Sequence, residues 1–371
     1  MNNEEIIQKN YLEWTQFPFD KETIQEVQKL KNNNHLKFQD SFYKDLSFGT
    51  GGMRGIVGYG PNRVNKYTFG KNTQGISNYI NKISDDKEAV VIAYDCRNQS
   101  EELANQVAEI FSSNNIKVYL FSSIRPTPEL SYALIKLKCI CGIVLTASHN
   151  PPEYNGYKVY WKDGGQIVPP IDKKLIKEIE SINFEDINFV KNDSNIQLID
   201  TEIDSSFVKY SIKNGKIGES KREEYRVVFT PIHGTSYKLL PAVLIGAGFK
   251  DFHIVEEQAI PDGNFSTVKS PNPEEPEALE IAIKKAEILN ADIVIGTDPD
   301  ADRVGLAVNN HQGDYSILNG NQMMIWLTEY ILSKKENLDQ SFFIGSTVVS
   351  TNMIKHIANY YNVDFKVGLT G

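Results

Sequence analysis

Cysteine is scarce in this sequence of 371 residues, with three positions, Cys96, Cys139 and Cys141. An odd number of cysteines inside apparent core strands favours buried thiols over a disulfide framework. The Cys-Ile-Cys spacing also lacks the second pair that a zinc knuckle requires. We therefore expect a reducing, cytoplasmic environment for this chain.

The sequence has neither a long apolar run nor an excess of positive charge. No segment reaches the roughly 18 apolar residues that span a bilayer, and the first residues lack the basic start and apolar core of a signal peptide. The formal net charge is -9, which argues against sequence-independent binding to nucleic acid. We expect no membrane and no nucleic-acid partner, and local groups must hold any anionic substrate.

A strand, helix, strand pattern occurs three times along the chain. AVVIAYDCRNQS (89–100), YRVVFTPIHGTS (225–236) and SFFIGSTVVS (341–350) each read as an apolar strand that breaks into a polar turn ending in serine. A helix-length segment and a second strand follow each of them. The pattern predicts related α/β domains in tandem, built on mixed or parallel sheets. Residues 3–39 are predicted to form an amphipathic helical lead-in.

The three units predict three domains. Residues 1–200 form domain I with the lead-in, residues 201–315 form domain II, and residues 316–371 form the first part of domain III. The third copy stops at Gly371 just after its second strand, which would leave a sheet edge and half a core exposed. We therefore expect this chain to be a segment of a longer protein, with domain III incomplete and a fourth domain absent.

The second copy continues into an apolar strand that ends in the acidic loop GTDPDADRVG. Asp298, Asp300 and Asp302 alternate there, a spacing that in an extended loop places three carboxylates on one side. Such charges repel one another unless a cation neutralises them. Arg303 and Asn309 stand where a calcium EF-hand needs glycine and glutamate. The pattern therefore favours Mg2+ over calcium and over a solvated acidic turn, with Arg303 placed to bind a phosphate.

The first copy continues into a strand through residues 143–145 that breaks at Ser148. No nucleophile elbow and no Ser-His-Asp set is visible, so a hydrolase triad is disfavoured. Ser148 either caps the turn before two prolines or alternates between hydroxyl and phosphoserine in phosphoryl transfer. The acidic loop in the next copy favours the second interpretation. Lys158, which alone would be a surface residue, and His149 then become candidates for proton transfer.

Together, TASHNPPEYNG and GTDPDADRVG resemble the α-D-phosphohexomutase superfamily, the phosphoglucomutases and phosphomannomutases. Further segments agree along nearly the whole chain: FGTGGMRG, YDCRNQS, PTPEL, TPIHGTS, DGNFSTVKSPNPEE and LNGNQ. The forms FGTGGMRG and SPNPEE are more similar to the phosphoglucomutase and phosphopentomutase-like branch. The resemblance implies a mutase that interconverts hexose 1-phosphate and hexose 6-phosphate, glucose foremost, through a phosphoserine and a 1,6-bisphosphate.

The resemblance assigns catalytic and metal-binding roles. The residues matched to catalysis are Ser148, His149, Lys158 and Arg54. The residues matched to the Mg2+ ligands are Ser148, Asp298, Asp300 and Asp302. In such a mutase the serine gives its phosphoryl group to one position of the sugar and regains one from another.

Substrate contacts, cofactors and partners complete this expectation. The candidates for binding substrate or phosphate are Arg303, Thr146, Asn150, Arg97 and His233. Mg2+ and glucose 1,6-bisphosphate are the implied cofactors, a small sugar phosphate is the partner, and no oligomeric state is implied. The family's sugar-selecting loop and distal-phosphate loop would lie after Gly371, so the preferred sugar is not specified.

Other functions stay open at this point. A phosphopentomutase or a sugar-bisphosphate synthase uses the same serine and metal loops, and a metal-dependent phosphatase would let water attack the phosphoserine. A truncated, non-catalytic paralogue would only bind sugar phosphates or a partner. The serine and the aspartates are all present, but a segment without its substrate-binding half can be inactive alone, because positioning supplies much of the rate of phosphoryl transfer.

Overall fold

The structure is a computed structural model that describes residues 2–84, 86–310, 312–336, 338 and 341–370. The helices are α1 (Asn3–Glu13), α2 (Lys21–Asn33), α3 (His35–Phe42), α4 (Lys66–Ile83), α5 (Ser100–Ser113), α6 (Thr127–Lys136), α7 (Ile171–Glu180), α8 (Thr201–Gly215), α9 (Leu239–Ala247), α10 (Pro276–Leu289), α11 (Gly320–Lys334) and α12 (Met353–Tyr360). The strands are β1 (Gly52–Ile56), β2 (Ala89–Tyr94), β3 (Lys117–Phe121), β4 (Cys141–Leu145), β5 (Tyr154–Trp161), β6 (Ile196–Ile199), β7 (Arg226–Thr230), β8 (Asp251–Ile254), β9 (Ile293–Thr297), β10 (Val304–Asn309), β11 (Tyr315–Leu318), β12 (Phe343–Thr347) and β13 (Asp364–Gly368). Within these described ranges, no helix has both the length and the apolar character needed to cross a bilayer.

The strands form two mixed sheets and a parallel pair. In the first sheet, of order β1-β5-β4-β2-β3-β6, strand β5 is antiparallel to both neighbours and β2, β3, β4 and β6 are parallel. In the second, of order β11-β10-β9-β7-β8, strand β10 is antiparallel to both neighbours and β7, β8 and β9 are parallel. β12 pairs with β13 in parallel. The predicted α/β fold with mixed sheets is confirmed.

Each predicted strand, helix, strand unit is present. The units are β2-α5-β3, β7-α9-β8 and β12-α12-β13, and in each the two strands pair in parallel. The second sheet continues to Leu318, a little beyond the predicted domain boundary at residue 315, because β11 pairs with β10. The division into three domains remains a prediction.

The predicted lead-in is three separate helices, α1 to α3, rather than one amphipathic stretch. The side chains of Asp20 and Asn34 accept hydrogen bonds from the first turns of α2 and α3, so each helix begins anew. The helices close over a cluster of aromatic side chains, Trp14, Phe19, Phe38, Phe42 and Tyr67. Leu12, although apolar, is 53% exposed.

The cysteines are free thiols with different surroundings. Cys139 and Cys141 are buried, as predicted; Cys141 is the first residue of the central strand β4, and Cys139 lies two residues before it, outside the strand. Cys96 lies in the turn after β2 rather than inside a strand, and it is only partly buried. The turn that contains Cys96 contacts residues 262–264, in a loop that follows β8 of the second sheet.

A charge cluster joins α6 to α8. Just before α6, the Arg125 guanidinium donates from Nε to Asp204 Oδ1 at 2.8 Å and from Nη2 to Asp200 Oδ1 at 3.0 Å. The carboxyl group of Glu129 is fully buried on α6, with Oε2 3.7 Å from Arg125 Nε. Burial, followed by the carboxylate of Asp204, raises the pKa of Glu129 to about 9. Glu129 is therefore protonated at neutral pH.

We expect Glu129→Gln to stabilise the protein more at pH 8 than at pH 5. Folded Glu129 keeps a proton that the unfolded chain, with a pKa near 4.5, releases. The stability that this group contributes is complete below pH 4.5 and is lost as the pH rises toward 9, at about 1.4 kcal/mol per pH unit. Glutamine keeps the shape of the side chain and has no such proton to release.

Urea unfolding of both proteins at the two pH values measures this difference. Glu102→Gln is the matched control, because Glu102 is exposed on α5 and its neutralisation should change stability little. A gain for Glu129→Gln that is the same at pH 5 and pH 8 would contradict the assignment of a buried, protonated carboxyl group.

Candidate active site

A loop over residues 146–153, here called the serine loop, follows the carboxyl end of β4. Thr146 turns the chain, because its Oγ1 accepts a hydrogen bond from the Ser148 backbone N–H at 2.8 Å. Ser148 has φ 52°, a left-handed conformation that residues other than glycine adopt uncommonly. The Ser148 side chain is buried and faces the second sheet.

Strand β5 brings Lys158 to the same place. A Cβ at Gly156 would lie 2.6 Å from the Thr146 carbonyl oxygen, so glycine allows β5 and the serine loop to approach this closely. Lys158 is 9% exposed, and it is therefore not the surface residue that its position alone suggests. Its Nζ lies 2.6 Å from Asp300 Oδ2 and 2.8 Å from Asp302 Oδ2.

The hairpin loop between β9 and β10, residues 298–303, is here called the acidic loop. It is not extended, as the spacing had suggested, because Ala301 N–H donates to the Asp298 carbonyl oxygen at 3.0 Å and Ala301 has φ 56°. The tight turn still gathers the side chains, since one oxygen from each of Asp298, Asp300 and Asp302 lies within 4.8 Å of the others. Asp298 and Asp300 are buried, and Asp302 is exposed.

Two threonines outside the acidic loop fix its backbone, and neither was among the predicted site residues. Thr127, at the start of α6, donates from N to the Asp300 carbonyl oxygen and from Oγ1 to Asp300 Oδ2, both at 2.8 Å. Thr235 donates to the Pro299 carbonyl oxygen from N at 2.8 Å and from Oγ1 at 2.9 Å. The sequence did contain a signal for both threonines, because Thr127 lies in PTPEL and Thr235 in TPIHGTS, two of the segments that support the resemblance to the family.

The serine loop and the acidic loop meet at Ser148. Ser148 Oγ donates a hydrogen bond to Asp298 Oδ2 at 2.6 Å, across 150 positions of sequence. His149 Nδ1 lies 3.3 Å from the same Oγ. The structure therefore brings Ser148, His149 and Lys158 together with the three aspartates.

Two predicted arginines lie on the open side of this cluster. Arg54 is exposed on β1 and donates from Nη1 to Asn150 Oδ1 at 2.8 Å. Arg303 is exposed, and its backbone N–H donates to Asp298 Oδ1 at 3.0 Å. Burial, followed by the charges of Arg303 and Arg54, lowers the pKa of His149, which favours the neutral ring. This side of the cluster is suited to an anion.

Arg97 and His233 lie beneath the loops rather than on the open side. Arg97 is buried and its guanidinium donates to carbonyl oxygens of the serine loop. His233 is buried, with Nδ1 2.8 Å from the Ile260 carbonyl oxygen and Nε2 2.8 Å from Thr267 Oγ1. Contacts of Arg97 and His233 with substrate stay predictions, because these polar atoms are occupied by the protein itself.

The acidic cluster carries more negative charge than its lysine neutralises. Burial, followed by the charges of Asp300 and Asp302, raises the pKa of Asp298 to about 8. Burial works against ionisation of Asp300 too, but Lys158 brings the pKa of that carboxyl below its ordinary value. Burial likewise tends to lower the pKa of Lys158, and Asp300 and Asp302 nevertheless raise it. One more positive charge in the cluster would offset the repulsion from Asp300 and Asp302, which adds to burial in raising the pKa of Asp298.

The donor set fits a hard divalent cation. Asp300 Oδ1 is buried and has no hydrogen-bond partner within the described part of the chain, so one ligand atom is available. The neighbouring donors are carboxylate and hydroxyl oxygens, which Mg2+ prefers. Among the described residues, the group of acidic, histidine and cysteine side chains that could share one ion here consists of the three aspartates. Asp298, Asp300 and Asp302 are therefore a candidate Mg2+ site.

Comparison with known proteins agrees with this geometry. Two family models match, "Phosphoglucomutase/phosphomannomutase, alpha/beta/alpha domain I" over residues 45–186 and the corresponding domain II over residues 205–313. A phosphoglucomutase of Staphylococcus epidermidis is 38% identical over 343 residues, which cover 92% of this chain and 62% of the relative. A phosphoglucomutase of Staphylococcus aureus is 39% identical over 340 residues, with 91% and 61% covered. The chain thus spans about three fifths of the length of these curated relatives.

Solved structures share the fold. A phosphoglucomutase/phosphomannomutase family protein from Burkholderia thailandensis has a TM-score of 0.69 at 22% identity, covering 87% of this chain and 66% of that one. The open form of parafusin, a phosphoglucomutase from Paramecium, has a TM-score of 0.65 at 16% identity, covering 87% and 62%. At these identities the likeness shows the fold alone.

We expect Asp298→Asn to stabilise the metal-free protein and to remove its response to Mg2+. Asparagine keeps an oxygen that accepts the Ser148 hydrogen bond but turns its amide group toward the Arg303 N–H, which Asp298 Oδ1 accepts in the wild type. We expect the removed repulsion from Asp300 and Asp302 to outweigh that lost bond, with a net gain of about 1 kcal/mol. Mg2+ should raise the Tm of the wild type, because a ligand that binds only the folded state stabilises it.

Thermal unfolding with and without excess Mg2+ tests both parts of this prediction. Glu277→Gln is the control, since it removes one negative charge from an exposed position on α10. The prediction is wrong if Asp298→Asn keeps the same Mg2+-dependent rise in Tm as the wild type.

Proposed function

Because the chain belongs to the α-D-phosphohexomutase superfamily, the phosphoglucomutases and phosphomannomutases, we propose that it interconverts hexose 1-phosphate and hexose 6-phosphate. Glucose is the proposed sugar, since the curated relatives at 37–39% identity are named phosphoglucomutases. The proposed carrier is a phosphoserine at Ser148, and glucose 1,6-bisphosphate is the proposed intermediate and activator. As the chain spans 62% of such a relative, the activity concerns the whole protein.

The observation that carries this proposal is the contact between Ser148 and the acidic loop. The Ser148 Oγ lies 2.6 Å from Asp298 Oδ2, and the three carboxylates lie within reach of a group attached to that Oγ. A phosphoserine beside carboxylates needs a divalent cation to offset the charges. Asp298, Asp300 and Asp302 would hold Mg2+ there, and Mg2+ when bound neutralises charge that develops on the transferring phosphoryl group.

The proposed reaction moves one phosphoryl group in each half. In the first half, the bond from phosphorus to Ser148 Oγ breaks, a bond from phosphorus to the sugar 6-oxygen forms, and the 6-hydroxyl proton passes to the protein. In the second half, Ser148 takes the phosphoryl group from position 1 and the proton returns to the sugar's 1-oxygen. The net result is an isomerisation, with no water consumed.

We propose that two side chains carry the proton. His149 Nδ1 lies beside Ser148 Oγ, and its lowered pKa leaves the ring able to accept a proton at neutral pH. Lys158 holds its own proton against Asp300 and Asp302 in this state, so it is placed to return a proton rather than to remove one. Arg54 and Arg303 are proposed to hold the substrate phosphate on the open side, because both are exposed there.

The relatives favour a mutase over a phosphatase, since those that the chain matches are phosphoglucomutases. Ser148 is 2% exposed, and its Oγ is enclosed by His149 and Asp298. This burial shields the serine from bulk solvent, but any path that admits a sugar hydroxyl also admits water, so the preference for the sugar comes from the relatives. The free cysteines support the cytoplasmic location that we propose.

We expect the chain to gain one phosphoryl group when it is incubated with Mg2+ and glucose 1,6-bisphosphate, because Ser148 and the acidic loop already meet. Intact mass before and after incubation measures the gain. Ser148→Ala should show none, and Ser77→Ala, which removes a buried hydroxyl from α4 far from the site, should behave as the wild type does. No gain in the folded wild type would contradict the proposed phosphoserine in this chain.

We also expect the phosphorylated chain to lose its phosphoryl group faster to glucose 1-phosphate than to water. The sugar 6-hydroxyl is an oriented acceptor, and orientation is worth about 10²-fold or more in rate. Mass spectrometry follows the loss, and assays for glucose 1,6-bisphosphate and inorganic phosphate identify the acceptor. Steady release of inorganic phosphate, unchanged by sugar, would favour the phosphatase, and faster transfer to ribose 1-phosphate would favour a phosphopentomutase.

A further inference from the structure

Arg97 holds the backbone of the serine loop from beneath. Its guanidinium donates to four carbonyl oxygens, from Nη2 to Ser148 and Asn150 at 2.6 Å each, and from Nη1 to Pro151 at 2.8 Å and Tyr154 at 2.9 Å. The side chain of Arg97 is fully buried. One planar group therefore fixes the carbonyl groups along most of the loop.

These bonds leave Arg97 no donor for a substrate phosphate. A guanidinium has five N–H groups. Four of them serve the carbonyl oxygens. The fifth, on Nε, makes no hydrogen bond within the described ranges, but it is buried in an ion pair 3.2 Å from Asp95 Oδ2 and so cannot reach a substrate. The contacts therefore give Arg97 a supporting place under Ser148 rather than a place among the substrate-binding groups.

The peptide that Arg97 holds is conformationally unusual. Ser148 has φ 52°, and a residue with a Cβ stays in that region only when its surroundings fix it. Arg97 binds the Ser148 carbonyl oxygen at 2.6 Å, and Thr146 Oγ1 binds the Ser148 N–H at 2.8 Å. Both sides of the nucleophile are thus fixed, which directs its Oγ to Asp298.

A segment that follows β8, residues 262–265, covers Arg97. Phe265, which follows the second sheet's strand β8, lies with its ring centroid 5.0 Å from Arg97 Cζ. It is 1% exposed and has φ 50°, so it too is held in an uncommon conformation. The carboxylate of Asp262 fixes the turn before it by accepting hydrogen bonds from the backbone N–H groups of Asn264 and Ser266.

The backbone of this segment also rests directly on the turn that contains Arg97. A Cβ at Gly263 would lie 2.6 Å from Asn98 N and 2.8 Å from the Cys96 carbonyl oxygen. Asn98 Nδ2 donates to Asn264 Oδ1 at 2.8 Å. The contact is close along its whole length, so residues 262–265 and the Arg97 turn form one packed unit.

We propose that Arg97 and Phe265 are positioning residues for Ser148, with residues 262–265 as a cover that keeps Arg97 against the serine loop. This inference rests on the proposed function, in which Ser148 carries the phosphoryl group. The serine loop then depends on the second sheet in two ways, because the acidic loop follows β9 of that sheet and the cover follows β8. Ser148 is then correctly aimed only when the second sheet is docked.

Hydrogen exchange of the serine loop tests the proposal without requiring activity. In Phe265→Leu and in Arg97→Lys, amides of residues 148–155 should exchange at least about tenfold faster than in the wild type. Lysine cannot hold four carbonyl oxygens as the guanidinium does. Phe111→Leu is the matched control, because it removes the same volume from a fully buried site near the end of α5. Unchanged exchange in both variants, or equal acceleration in the control, would overturn the proposal.

The rate of Ser148 phosphorylation by Mg2+ and glucose 1,6-bisphosphate gives a second readout. Phe265→Leu should lower the rate at saturating bisphosphate by about 10- to 100-fold. The half-saturating concentration should stay unchanged, because Arg97 and Phe265 are both buried beneath the serine loop and offer no exposed group to a ligand. A loosened loop with an unchanged saturating rate would refute positioning. If the wild type takes up no phosphoryl group, the proposed function fails, and the exchange of the serine loop alone decides whether Arg97 and Phe265 hold it.

Discussion

The mutual repulsion of Asp298, Asp300 and Asp302 is the constraint on which the rest of the site depends. Three carboxylates with oxygens within 4.8 Å are stable only where other groups offset their charge and fix their backbone. Lys158 does the first from β5, and Thr127 and Thr235 do the second from either side of the loop. Burial and the repulsion that remains raise the pKa of Asp298, the carboxyl group that faces Ser148.

The same local design appears twice, once in each sheet. In both, a buried parallel strand ends in a hairpin loop whose key residue follows soon after the strand: Ser148 is the third residue after β4, and Asp298 is the first after β9. Open α/β sheets place ligands at these carboxyl ends. The two loops differ in sign: the first side supplies Lys158, Arg54 and a hydroxyl, and the second supplies the carboxylates. Docking of the two sheets is therefore favoured by the same charges that the chemistry uses.

The sequence was sufficient for features that depend on local pattern. Apolar runs ending in polar turns located the β2, β4, β7 and β9 strands, and the alternation of aspartates identified the acidic loop although its assumed extended form was wrong. Features that depend on tertiary contact were not predictable. The burial of Lys158 requires knowing that β5 lies between β1 and β4, and the roles of Thr127 and Thr235 require knowing what packs against Pro299 and Asp300.

Burial separates two kinds of residue in this site, and the separation has a physical reason. Ser148, Arg97, Asp298 and Asp300 are buried and held by several bonds each, so the reacting oxygen and its charge partners need little rearrangement when a phosphoryl group moves. Arg54, Arg303 and Asp302 are exposed and make few contacts. In the proposed reaction, a sugar bisphosphate turns over between transfers, so it cannot be held rigidly at both ends. The buried, fixed groups beneath and the exposed, adaptable cations above meet both requirements of that proposal, in which the phosphoryl group returns to Ser148 Oγ while the rest of the sugar moves.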